Sequence, residues 1–174
     1  NQLIILKAIK ILIAQGFDIK LKLLGSSFKP ALKEIKENIL KLNLEKIVKI
    51  KDEISFKNIA KEYKNSNLHI SPSFCESFGI TLIEAGNYSV PCICSNTEIF
   101  NEITNKNAFF FDPFSEKDLA NTIKMVIKNN QISYSDLFHK KKKNIIHLFF
   151  LLEYYFLLEN LLNYLFFFEC LKHS

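Results

Sequence analysis

Two carboxylates, Glu76 and Glu84, stand eight residues apart in the stretch Ser71 to Pro91, SPSFCESFGITLIEAGNYSVP. A short apolar strand, Leu68-His69-Ile70, leads into it, and Pro72 breaks that strand into a loop. After Glu76-Ser77-Phe78-Gly79 the chain turns into a helical run, Ile80 to Ala85. A strand, a loop holding one glycine and then a helix is how an open α/β sheet turns backbone N–H groups toward a ligand at its strand ends. The start of such a helix has unpaired N–H donors and the positive end of the dipole, which suits a phosphate or another anion. A carboxylate beside a phosphate repels it. Glu76 and Glu84 are therefore better suited to accepting hydrogen bonds from hydroxyls, as on a ribose or a sugar. Taken singly, each is also what a solvated loop or a helix surface carries.

The spacing of the two glutamates, with Pro72-Ser73 before the first and Ser77-Phe78-Gly79 after it, resembles the E-x7-E motif of retaining glycosyltransferases. The match is to the C-terminal domain of the large family 4, or group 1, type with the GT-B fold. Gly86, Val90-Pro91, a strand ending at Ser95, Glu102 and Phe111-Asp112-Pro113 continue the likeness, which covers roughly residues 1–130. The resemblance implies a nucleotide-sugar-binding domain. Glu76 would be the catalytic carboxylate, facing the donor sugar or its departing phosphate. Ser77, Phe78, Gly79 and Ile80 would aim backbone N–H groups at the diphosphate or sugar, and Glu84 would accept from the ribose hydroxyls. The Phe78 ring is expected to anchor the loop by packing, and Glu102 to be structural. Ser26 and Ser27, at a strand end, line the same crevice or form a plain turn.

The parent reaction implied is transfer of a hexosyl group from a nucleotide diphosphate sugar to an acceptor hydroxyl, with retention. The acceptor would be a glycan, a lipid or a small molecule. No cofactor beyond the donor substrate is expected, and no metal, since the sequence has no acidic triad or Asp-x-Asp. Two other readings stay open: a GT-B nucleotide-sugar epimerase, and a non-catalytic, decayed transferase domain serving interaction or membrane association.

Composition narrows the field further. The chain has 174 residues, 48% hydrophobic and 24% charged, enough for one domain with a sizeable core. The net charge of +5 comes from lysine alone, as there is no arginine, and only Lys140 to Lys143 form a run. That is a solvated helix end rather than the clustered, aromatic-interleaved surface of a nucleic-acid binder. Of the four cysteines, Cys75, Cys92, Cys94 and Cys170, the middle pair sits two apart on an apolar strand. This is neither zinc nor disulfide spacing, so buried small hydrophobes are expected. The histidines His69, His139, His147 and His173 show no ligand spacing, and His69 reads as a core residue. With no signal-like N-terminus, the expectation is a reducing, cytoplasmic setting, extending to the cytoplasmic face of a membrane.

The elements that must position the motif follow from periodicity. Leu3 to Ala14 is a buried helix with Gly16 as its C-cap. Ile19 to Leu24 is a strand, Ala31 to Leu42 an amphipathic helix and Ile47 to Ile50 a short strand. Ser55 is placed to cap a helix reaching Tyr63. Beyond the motif come a strand at Cys92 to Cys94, a helix at Glu98 to Ile103 and a strand at Ala108 to Phe111. Ser115-Glu116-Lys117-Asp118 reads as a capping box opening a helix to Lys128, with Leu119, Ile123, Val126 and Ile127 inward. Alternating helices and strands predict an α/β fold with a doubly wound parallel sheet.

Two departures from the resemblance shape the remaining expectations. In the GT-B domain a strand and loop come before the helix at Leu3, lie mid-sheet and supply a basic pair for the diphosphate. Asn1 falls just past where the lysine of that pair would be. The expectation is a truncated domain without its first strand, with a gap between the strands at Ile19 and Leu68, and with little or no transfer by the isolated chain. The second departure is residues 131–174, an atypical apolar tail read as a long helix, whose core is IIHLFFLLEYYFLLENLLNYLFFF at Ile145 to Phe168. Glu153 and Glu159 fall about 120° apart on a helical wheel, and a central charge costs about 2.5–3.5 kcal/mol on insertion. A packed or self-associating helix, a membrane-seeking helix and a frameshifted end are the three readings.

Overall fold

The computed structural model describes residues 1–25, 29–51, 56–76, 78–128 and 146–151. The chain runs α1 (Gln2–Ala14), β1 (Ile19–Leu24), α2 (Lys29–Lys41), β2 (Val48–Lys51), α3 (Phe56–Lys64) and β3 (Leu68–Ser71). It continues with α4 (Ile80–Asn87), β4 (Cys92–Ser95), α5 (Glu98–Ile103), β5 (Phe109–Phe111), α6 (Glu116–Lys128) and β6 (Ile146–Leu151). The strands form one sheet in the order β2-β1-β6-β3-β4-β5, every neighbouring pair parallel. Helices cover both faces, as parallel sheets require.

Side-chain alternation sorts the helices into two layers. Ile19, Leu21 and Leu23 of β1, Leu68 and Ile70 of β3, Ile93 of β4 and Phe111 of β5 share one core with α1, α2 and α6. Within it Ile5, Leu6, Ile9 and Leu12 of α1 are fully buried. On the opposite face Leu24 meets Ile59 and Tyr63 of α3 with Ala85 and Val90, while Cys94 meets Leu82 of α4 and Phe100 of α5. The first core is broad and aliphatic. The second consists of two smaller clusters with polar groups between them.

Local chemistry explains the element ends. α1 stops at a Schellman turn: Gly16 takes φ +86°, its N–H bonds the Ile13 carbonyl, and the Phe17 N–H reaches back to Leu12. Gly16 thus sits one residue past the C-cap, Gln15. The capping box at α6 forms only by half. The Ser115 hydroxyl accepts from the Asp118 N–H at 3.1 Å, but the Asp118 carboxylate accepts from the Asp112 N–H at 2.8 Å instead of reaching back to Ser115. Asp is one methylene shorter than the usual Glu, and it ties β5's exit loop to the helix. Ser55, the expected cap of α3, lies outside the described residues.

The largest correction concerns the middle of the sheet. The slot between β1 and β3, expected to stand empty, holds β6. Its six residues pair with the whole of β1, from Ile19 opposite Ile146 to Leu24 opposite Leu151. On its other side it pairs with β3 at Leu68 and His69. The order therefore has the doubly wound 3-2-1-4-5-6 pattern with β6 in the first strand's place. The reading of a long apolar helix fails over these residues. A near-continuous apolar run suits a central parallel strand as well as a buried helix, and periodicity alone does not separate the two. The rest of the tail, 131–145 and 152–174, lies outside the described residues, as does the Lys140 to Lys143 run. Among the described residues no helix is long and apolar enough to cross a membrane.

Candidate functional site

Because the strands are parallel and in register, their carboxyl ends share one edge, where β3 ends at Ser71, β4 at Ser95 and β5 at Phe111. The loop 72–79 leaves β3 at this edge and delivers α4. Gly79 is the N-cap of α4, in the left-handed region at φ +60°, and among the described residues no side chain caps this helix. Its carbonyl accepts from the N–H groups of Leu82 and Ile83. Among the described residues no backbone carbonyl outside the helix takes the first-turn amides of Ile80 and Thr81, which suits them to an anionic partner. Only glycine suits the position: the left-handed backbone disfavours any Cβ, and one placed there would stand 3.1 Å from Ile103 Cδ1 and 3.3 Å from the Phe100 ring. The close fit of Gly79 on α5 sets the direction in which α4 starts.

The two carboxylates occupy different surroundings. Glu76 lies in the loop, half-buried, and its Oε1 accepts from the Phe78 N–H at 3.4 Å. Glu84 lies in the second turn of α4, also half-buried, and its Oε2 accepts from the Tyr63 hydroxyl at 3.0 Å. Glu84 Oε1 accepts no hydrogen bond among the described residues, which leaves it open to a donor. The structure thus places Glu76, Phe78, Gly79, Ile80 and Glu84 on one loop-and-helix unit at the carboxyl edge. Ser77, Ser26 and Ser27 lie outside the described residues.

Phe78 departs from its expected part. Its ring is 60% exposed, so it anchors nothing in the chain as described; the packing under the loop comes from Gly79 against α5. An exposed aromatic pair lies on the same loop and after β5, Phe74 stacked on Phe114 with ring centroids 5.0 Å apart. These two rings, with Asn1, Lys7, Pro113 and Glu116, line an open depression of about 270 Å³ at the same edge. Glu102, on the exposed side of α5, makes no part of it.

The groups behind the site are mostly inert. Cys94 is buried and Cys92 half-buried, and burial pushes both thiols up to about 12. Neither is a nucleophile at neutral pH. His69 is buried with its ring edge-on to Tyr63, as a core histidine would be. Beneath α3, Glu62 takes Lys22 at 2.8 Å and Lys51 at 2.6 Å. Burial works to raise the Glu62 carboxyl, but hydrogen bonds and charge from the two lysines prevail and hold it below the usual range. This triad fastens α3, and so Tyr63, to the sheet. Among the described residues no three His, Cys, Asp or Glu side chains converge as a metal site.

Sequence reasoning passed over Tyr63. It lies at the end of the helix just before the motif strand, on that helix's buried face, and a buried phenol must find a partner. That requirement was the available signal.

Comparison with known proteins places this geometry in context. Residues 1–146 match the family model described as glycosyl transferases group 1. The O-antigen chain mannosyltransferase RfbU of Salmonella typhimurium is 29% identical over 92 residues, 53% of this chain and 26% of that protein. A glycosyltransferase structure from Rickettsia africae superposes with a TM-score of 0.67 at 26% identity, over 73% of this chain and 34% of the other. Anabaena Alr3699/HepE, crystallised with UDP and glucose, superposes with a TM-score of 0.66 at 23% identity, over 75% of this chain and 36% of that one. The chain thus spans about a quarter to a third of these proteins.

Proposed function

The chain belongs to the group 1 glycosyl transferases, and on that footing we propose that it is the donor-binding domain of a retaining, hexosyl-transferring enzyme. The observation that carries the proposal is the start of α4 at the sheet's carboxyl edge, without a side-chain cap among the described residues, with Glu76 before it and Glu84 one turn inside. In this reading the amides of Ser77, Phe78, Gly79 and Ile80 and the helix dipole stabilise the diphosphate of a nucleotide sugar. Charge grows on that diphosphate as its bond to the anomeric carbon breaks, and fixed N–H groups oppose it without reorganising. The acceptor oxygen forms its bond on the same face of the sugar, and its proton leaves with the diphosphate. Glu76 faces the sugar and the departing phosphate. For the Phe78 N–H to serve the ligand, it must give up its 3.4 Å contact with Glu76. Glu84 Oε1 accepts from the ribose.

A nucleotide diphosphate sugar is the proposed donor, in keeping with the UDP and glucose bound by the Anabaena protein. The proposal includes no metal, no cofactor and a cytoplasmic setting. Since the chain spans only part of its relatives and contains no arginine to clamp a diphosphate, the proposal also holds that this chain alone binds donor weakly and does not turn it over.

Ligand-observed NMR titration of the full chain with UDP-glucose and with GDP-mannose tests the reading. Saturable binding is expected with one of them, weakened about tenfold or more in Glu84→Ala, since hydrogen bonds involving a charged group contribute about 1.5–3 kcal/mol. Binding by neither, or binding indifferent to Glu84, would overturn it.

A further inference from the structure

Tyr63 is fully buried, yet its hydroxyl ends beside the one carboxylate on α4. Its ring is held on two sides. It stacks on Tyr88, with centroids 5.5 Å apart and planes at 16°, and it meets the His69 ring edge-on at 5.9 Å. Tyr88 is the C-cap of α4 and His69 lies on β3, so the ring is clamped between the end of the site helix and the strand that feeds the site loop. The hydroxyl stands 3.0 Å from Glu84 Oε2 and 3.2 Å from the Thr81 carbonyl. Both are acceptors, and a phenol has one proton to give. An ionised carboxylate is the stronger acceptor, so the proton goes to Glu84.

From this arrangement we infer that Tyr63 is a positioning residue for the donor: it holds the Glu84 carboxylate by Oε2 so that Oε1 meets the ribose hydroxyls. The inference rests on the donor reading above and adds the residue that makes the ribose contact selective. A glutamate side chain has three rotatable bonds, and ordering it on binding would weaken the ligand's hold. Anchoring one oxygen to a fully buried phenol reduces that ordering in the binding step. The anchor belongs to α3. The Lys22–Glu62–Lys51 triad one residue earlier keeps α3 in register on the sheet.

A double-mutant cycle on the full chain separates positioning from mere packing. Affinities for UDP and for GDP are measured by NMR titration for the wild type, Tyr63→Phe, Glu84→Ala and the double variant, with thermal melts alongside. Removing the hydroxyl is expected to weaken nucleotide binding about 3- to 10-fold when Glu84 is present, and to have no effect when Glu84 is already alanine. A Phe variant with wild-type affinity would overturn the inference while leaving the donor reading intact. So would equal weakening in both backgrounds, or a Phe variant that no longer melts cooperatively, since either assigns the hydroxyl to the fold. If the wild type binds neither nucleotide, the donor reading fails and this inference falls with it.

Discussion

The two faces of the sheet are built differently. Beneath α1, α2 and α6 the packing is aliphatic and broad, with Ile5, Leu6, Ile9 and Leu12 inaccessible to water. Beneath α3, α4 and α5 small clusters alternate with polar groups: the Tyr63 hydroxyl, the Glu62 triad, His69 and the paired cysteines. Apolar packing is non-directional and tolerates sliding, whereas hydrogen bonds fix distances and angles. One face therefore holds the domain together and the other sets where α4 begins and where Glu84 points. Stability and geometry are assigned to opposite sides of the same strands.

Substitutions on each face can break this division. The largest expected effect is Ile9→Ala, in the centre of the aliphatic core, which should cost about 2–5 kcal/mol in urea unfolding. If the faces are separate, nucleotide affinity measured on the folded protein stays within error of wild type; a parallel loss of affinity would show that the large core also sets the site. Gly79→Ala comes next. A Cβ forced into the left-handed region beside Ile103 should cost about 1–3 kcal/mol in the same assay. Here, unlike Ile9→Ala, the weakened affinity should persist when binding is measured far below the melting temperature, because the start of α4 has shifted.

Acid is the gentlest probe. The folded-state pKa of Glu62 lies below its ordinary 4.5, so its ion pairs contribute fully above that pH. Their contribution is lost as pH falls from about 4.5 through the lower folded value. Glu62→Gln should therefore be less stable than wild type at neutral pH, with the gap closing on acidification across that window. A gap that stays constant with pH would mean that the lysines do not stabilise the charge, and α3 would need another fastening. Measured together with donor affinity, the same series shows whether loosening α3 reaches Glu84 through Tyr63.

Much of this was legible along the chain, for reasons that particular residues illustrate. Ile-Lys-Leu-Lys-Leu-Leu at β1 alternates because one face meets the core and the other meets α3. Gly16 just after a mostly apolar helix announces a left-handed turn. The strand, loop, Gly79 and helix order signals an anion-facing helix start, since backbone geometry there is local. What depended on neighbours was not legible. Phe78 looks like an anchor by type, yet the space beneath its loop is already filled by Phe100 and Ile103 against Gly79. Tyr63 looks like the end of an amphipathic helix until α4 is laid across it.

The sequence alone determined the alternation of helix and strand, the doubly wound class and the motif with its paired glutamates, because hydrophobic period, caps and turn residues act within a few positions. Only the tertiary structure decided the rest. Ile146 to Leu151 became the central strand because the open edges of β1 and β3 offer it backbone partners on both sides, which no property of the segment by itself reveals. Glu84 acquired its orientation because a phenol 21 residues away had a single proton to place.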